Sequence, residues 1–257
     1  MKLVFRLLVA ALSVAVFAGI VQALPPAPAA VKTQMVQFTN GKDMIDGYLA
    51  LPPGTGRFPG ILVIHEWWGL NDWIKEETQK LAEQGYVALA VDLYRGKVAT
   101  DWETAHELMR GVPEDRALAD MKGAHLYLVS RDDVVKQHIG VIGWCWGGGE
   151  AMELAVHDQG LSAVVVNYGV LPTDPNKLQQ IVAPILGNFG ANDQGITPSD
   201  VHEFETAMLS IHRQVDLKIY PGAGHAFMNP NNQGGYRPEA AADAWQRTLN
   251  FFNKTLH

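Results

Sequence analysis

The chain is short of cysteine and of positive charge. Cys145 is the only cysteine among its 257 residues, so no intramolecular disulfide can form. The formal charge is −7, and it becomes more negative if Lys2 and Arg6 leave with an N-terminal segment. Such a balance argues against nucleic acid as a partner. Beyond that segment no apolar run is long enough to span a bilayer. There is no internal repeat and no metal-ligand spacing among the histidines. His106, His125, His157, His202 and His212 fall in expected helices, none paired with another. His65-Glu66 begins like a zinc-protease H-E-x-x-H string, but the fifth position is Gly69 and the pair closes an expected strand. Gly147-Gly148-Gly149 lacks the lysine of a phosphate loop and fits tight turning and close helix–strand packing instead. No metal and no organic cofactor is expected.

The first residues read as an export signal. Lys2 and Arg6 precede an apolar run, 7–21, interrupted only by Ser13, and Val21-Gln22-Ala23 is a small-x-small cleavage site. The expected organisation is a signal peptide over 1–23, an extended proline-bearing leader over 24–33, and a single domain over 34–257. The expected location is secreted or periplasmic, with no stable membrane anchor after cleavage. A leftover cysteine in an exported protein is either buried or a reactive thiol. Hydrophobic residues make up 47% of the chain, enough for one large core.

After the leader, strand and helix patterns alternate. Residues 36–38 and 47–51 read as early strands around an Asn40-Gly41 turn signal. Continuous apolar runs at 60–64, 86–91, 138–142, 161–166 and 184–189 read as buried parallel strands, with a last strand at 215–220. Helices are expected at 72–84, 100–110, 113–129, 150–157, 198–212 and 238–252. This order implies an α/β fold with a mostly parallel sheet covered on both faces.

Gly143-Trp144-Cys145-Trp146-Gly147 sits where a strand meets a helix. That is a nucleophile-elbow arrangement with cysteine in the place usually held by serine. Sites in open parallel sheets form beyond the carboxyl ends of the strands. The loop after Phe189 carries one carboxylate, Asp193, and the loop after Tyr220 carries one titratable group, His225. Nucleophile, acid, histidine is the chain order of α/β-hydrolases. The residue types suit the chemistry: imidazole takes the thiol proton and returns it to a leaving group, and a carboxylate fixes the imidazole tautomer.

These strings resemble the dienelactone hydrolase family of the α/β-hydrolases. The resemblance runs from about Val36 to Phe252. It is carried by His65-Glu66-Trp67-Trp68-Gly69-Leu70-Asn71, by Asp92-Leu93-Tyr94-Arg95-Gly96, by the Cys145 elbow, by the Asp193 loop and by Gly222-Ala223-Gly224-His225-Ala226-Phe227. It implies the α/β-hydrolase fold and a triad of Cys145, Asp193 and His225. Glu66 matches a glutamate that, in the family, hydrogen-bonds the resting thiol and helps deprotonate it. The backbone N–H groups of Trp67 and Trp146 match the oxyanion hole. Tyr94, Arg95, Trp68 and Trp144 are the expected substrate-binding side chains. The namesake enzyme holds its substrate carboxylate with two arginines; Arg95 stands near one of those positions, and Asn229 occupies the other.

The reading is therefore a hydrolase of a small-molecule ester or lactone. If two or more of Trp67, Trp68, Trp144 and Trp146 face the pocket, an apolar or aromatic substrate fits better than a small dianion. The competing readings are an α/β-hydrolase fold that binds a small molecule without turning it over, and an exposed redox thiol.

Overall fold

Strands buried on both faces can afford no polar positions, and the central strands here have almost none. The computed structural model describes residues 30–257; the expected signal peptide and the leader to residue 29 lie outside the described residues. In chain order the strands are β1 (Lys32–Thr39), β2 (Met44–Leu51), β3 (Phe58–Ile64), β4 (Val87–Val91), β5 (Val134–Trp144), β6 (Ala163–Asn167), β7 (Ile185–Gly190) and β8 (Asp216–Tyr220). The helices are α1 (Asp72–Glu83), α2 (Trp102–Arg110), α3 (Glu114–Ser130), α4 (Trp146–His157), α5 (Pro175–Leu178), α6 (Pro198–Ser210) and α7 (Pro238–Leu256). One sheet runs in the order β1-β2-β4-β3-β5-β6-β7-β8. The β1–β2 and β2–β4 pairs are antiparallel, and every later pair is parallel.

Alternation along each strand sends neighbours to opposite faces. Leu62 and Ile64 of β3 pack with Met121 and Leu128 of α3, Ala151 and Leu154 of α4, and Phe204 of α6. Ile61 and Val63 pack on the other side with Ile74 and Leu81 of α1 and with Ala244 and Phe252 of α7. β3 therefore leads to β4 through a helix on one face, and β4 returns to β5 through helices on the other. This places a topological switch between β3 and β5, where a crevice opens at the strands' carboxyl ends.

Local signals set the helix starts. The side chains of Asn71, Asp101 and Thr197 accept from backbone N–H groups in the first turns of α1, α2 and α6, and Thr197 with Asp200 forms a capping box ahead of α6. Several elements differ from the sequence expectation for identifiable reasons. Lys32 and Thr33, assigned to the leader, pair with Leu51 and Ala50 in β1. β5 begins earlier, at Val134, because Phe58 pairs with it across a register shift in β3. α4 starts at Trp146 and takes in the three glycines. α5, a single turn with Pro175 in its first turn, has no counterpart in the expectation. α7 continues past Phe252 because Leu256 as well as Phe252 is fully buried, and burial of such a side chain stabilises by about 1.5–3 kcal/mol.

Candidate active site

Cys145 joins β5 to α4 with φ 55° and ψ −122°. A non-glycine residue in that region carries about 1–3 kcal/mol of backbone strain. Its surroundings hold it there: Cys145 N–H donates to the Asn167 carbonyl at 3.0 Å, and its own carbonyl accepts from Gly148 N–H at 3.0 Å. The flanking glycines are needed because backbone meets backbone. A Cβ on Gly143 would overlap the Gly147 carbonyl, and one on Gly147 would reach the carbonyls of His65 and Ile64.

The thiol lies at one end of a hydrogen-bonded chain. His225 Nε2 is 3.1 Å from Cys145 Sγ, and His225 Nδ1 is 2.7 Å from Asp193 Oδ2. The other oxygen of Asp193 accepts from the N–H groups of Gly195 and Ile196. Burial pushes Asp193 up, but His225 and these two amides outweigh it and hold the carboxyl below its ordinary value. For His225, burial disfavours the cation, yet the bonds to Asp193 and Cys145 together carry its pKa to about 10. A cationic imidazole beside sulfur is the partner a thiolate requires. Tyr168, itself at φ 42°, sets an edge against the His225 ring at a centroid distance of 5.3 Å.

Glu66 follows β3 and is almost fully buried. Its hydrogen bonds go to other partners than the thiol. One carboxylate oxygen accepts from Asn229 Nδ2 at 2.7 Å and the other from the Tyr168 hydroxyl at 3.4 Å. Burial outweighs these two bonds and the nearby His225 charge, and raises the Glu66 pKa to about 7. Asn229, noted in the sequence only as a missing arginine, is thus the residue that fixes Glu66. The sign of its pH dependence follows. A group held protonated more tightly in the folded chain stabilises below its ordinary value near 4.5, and that stabilisation is lost as pH rises through about 7. Glu66→Gln should therefore gain on the wild type in melting temperature between pH 4 and pH 8. An equal gap at both ends in paired thermal melts would sink this assignment.

His65, set aside as a zinc ligand, has a different place. Its Nε2 accepts from Leu93 N–H at 3.3 Å and its Nδ1 is 2.6 Å from the Glu66 carbonyl, an arrangement that needs neutral imidazole protonated on Nδ1. Burial agrees, lowering its pKa to about 4. His65 thereby shapes the turn that presents Trp67. Trp146 opens α4 on the other side of the thiol. Among the described residues, the N–H groups of Trp67 and Trp146 donate to no carbonyl outside the regular elements.

Three expected substrate-binding residues do not line the cavity. Arg95 pairs with Asp120 at 2.7 Å and donates to the Asp92 carbonyl, away from the crevice. Tyr94 is buried, stacked on Trp146 with ring centroids 5.4 Å apart. Trp144 is fully buried beneath the sheet against Trp73. Trp68 does line the cavity, together with Trp67, Cys145, His225 and Glu66. Sequence reasoning missed Trp102, which also lines it and is 69% exposed. A lone tryptophan opening a helix carries no sequence signal of its position.

A family model described as "Dienelactone hydrolase family" matches residues 45–256. The chain is 31% identical over 257 residues to a Methylorubrum extorquens protein named "Putative carboxymethylenebutenolidase", covering 90% of this chain and 88% of that one. It is 34% identical over 224 residues to a Bradyrhizobium sp protein named "Probable 2-oxo-3-(5-oxofuran-2-ylidene)propanoate lactonase", covering 82% and 89%. The crystal structure titled "Putative Dienelactone Hydrolase" from Klebsiella pneumoniae superposes with a TM-score of 0.81 at 28% identity, covering 88% of this chain and 99% of that one.

Proposed function

The chain belongs to the dienelactone hydrolase family, and from that premise we propose that it hydrolyses a carboxylic ester or lactone through an acyl-cysteine. The observation that carries the proposal is the chain of contacts from Asp193 through His225 to a strained Cys145. A protein that only binds has no evident use for a thiol held at positive φ beside a cationic imidazole.

The steps follow from the groups present. The Cys145 thiolate attacks the acyl carbon, and the carbonyl π electrons move onto oxygen. The N–H groups of Trp67 and Trp146 hold that oxyanion. The carbon–oxygen bond to the leaving group breaks as His225 Nε2 delivers its proton to the departing oxygen. The neutral imidazole then removes a proton from water, and the hydroxide attacks the thioester. Collapse of the second tetrahedral adduct expels the thiolate and frees the acid, leaving His225 protonated for the next cycle. Asp193 keeps the imidazole in the tautomer that presents Nε2 to sulfur. Glu66, held by Asn229 and Tyr168, leaves the proton transfers to His225.

Rapid acid quenching during turnover of an activated ester should reveal an acyl group on the Cys145 peptide by mass spectrometry. Prior alkylation of Cys145 should abolish both adduct and product. Product formation by fully alkylated protein would overturn the mechanism.

A further inference from the structure

The cavity around Cys145 has a volume of about 810 Å³ and two unlike walls. The sheet order fixes their sides. β5, which delivers Cys145, has β3 and β4 to one side and β6, β7 and β8 to the other. Trp67 and Trp68 follow β3, and Trp102 opens the helix after β4. His225 follows β8, and its loop continues through Asn231, Asn232 and Gln233, which also line the cavity.

The tryptophans form one continuous surface. Trp67 meets Trp68 at a centroid distance of 5.1 Å and Trp102 at 5.0 Å, both edge-to-face. His106 abuts Trp67 at 4.9 Å and holds it in place. Trp102 remains 69% exposed, so a ligand ring that covers it removes apolar surface from water. Among the described residues, no cation lines this side of the cavity. Arg95 is paired with Asp120. Arg237, on the far rim, donates to the carbonyls of Gly222, Gly234 and Tyr236.

Resting on the thiol-hydrolase reading, we propose that the enzyme selects esters and lactones whose acyl portion carries a neutral aromatic ring, and that Trp102 is a specificity residue for it. The direction comes from the proton. The leaving oxygen must lie within reach of His225 Nε2, so the alcohol portion occupies the amide-lined side. The acyl portion is left with the tryptophan side.

Four esters separate acyl from alcohol recognition: ethyl acetate, phenyl acetate, ethyl benzoate and phenyl benzoate. Trp102→Ala should lower kcat/KM for both benzoates about tenfold and leave both acetates within about twofold. A loss that follows the phenyl alcohol, or one equal on all four esters, would overturn the proposal. Binding gives a readout that needs no thiol chemistry. In Cys145→Ala protein, calorimetry should find ethyl benzoate bound about tenfold tighter than ethyl acetate, and adding Trp102→Ala should erase the gap. A gap that persists rejects the tryptophan wall. Ester turnover that survives Cys145→Ala rejects the thiol-hydrolase reading, while the binding comparison still judges the wall.

Discussion

Cys145→Ala should lower ester turnover about 10⁵-fold while leaving the melting temperature nearly unchanged. The two halves of that result have separate causes. Turnover falls because no other group at the site can form the acyl intermediate: His225 and Asp193 serve the thiol, and Glu66 is bound to Asn229 and Tyr168. The fold survives because alanine keeps the Cβ and the backbone bonds that hold φ at 55°, namely the Asn167 carbonyl and the Gly148 N–H. Cys145→Ser should recover little. A hydroxyl is a far weaker acid and a weaker nucleophile than a thiol, so it gives up its proton less readily during attack. The measurement is steady-state hydrolysis of an activated aryl ester beside thermal unfolding of the same preparations. Wild-type turnover by the alanine variant would remove Cys145 from the mechanism.

What the sequence reveals about this site depends on distance along the chain. Strand order was readable because each buried parallel strand is a short apolar run, and the loops that follow them carry Asp193 and His225 as their only groups of the needed type. Side-chain direction within an element was also legible in principle. Trp144 is two residues from Ile142 in β5 and so shares its face, in the core that α1 and α7 cover. Partners far apart in sequence were not legible. Nothing near Arg95 announces Asp120, which reaches it from α3. Nothing near Glu66 announces Asn229, 163 positions away, whose amide donates to the carboxylate. The exposure of Trp102 depends on how α2 docks, and helix propensity carries no record of that.

Gly147→Ala should destabilise the fold by roughly 4 kcal/mol, whereas Gly149→Ala, the same change two residues on, should be neutral or mildly stabilising. Both glycines lie in the first turn and a half of α4, so helix propensity treats them alike and favours alanine at each. Packing separates them. A Cβ at Gly147 would lie 2.5 Å from the Ile64 carbonyl oxygen and closer still to that of His65. The Ile64 carbonyl cannot retreat, because Ile64 is locked between Val91 of β4 and Gly143 of β5. Nor can α4 lift away. Its Ala151, Leu154 and Ala155 are buried in the core, and Gly148 packs against the Gly169 backbone on the other side. At Gly149 the nearest heavy atoms to a Cβ belong to Val170 at 3.6 Å, an ordinary contact. For a chain of this size each kcal/mol moves the melting temperature by about 2–4 °C, so Gly147→Ala should melt roughly 8–16 °C lower. Its ester turnover should fall as well, because the strained contact joins the Trp146 end of α4 to the carbonyl of His65. Circular dichroism melts of the two variants decide the matter: equal melting temperatures would mean that the helix is free to shift on the sheet, and that the elbow is not held by this close approach.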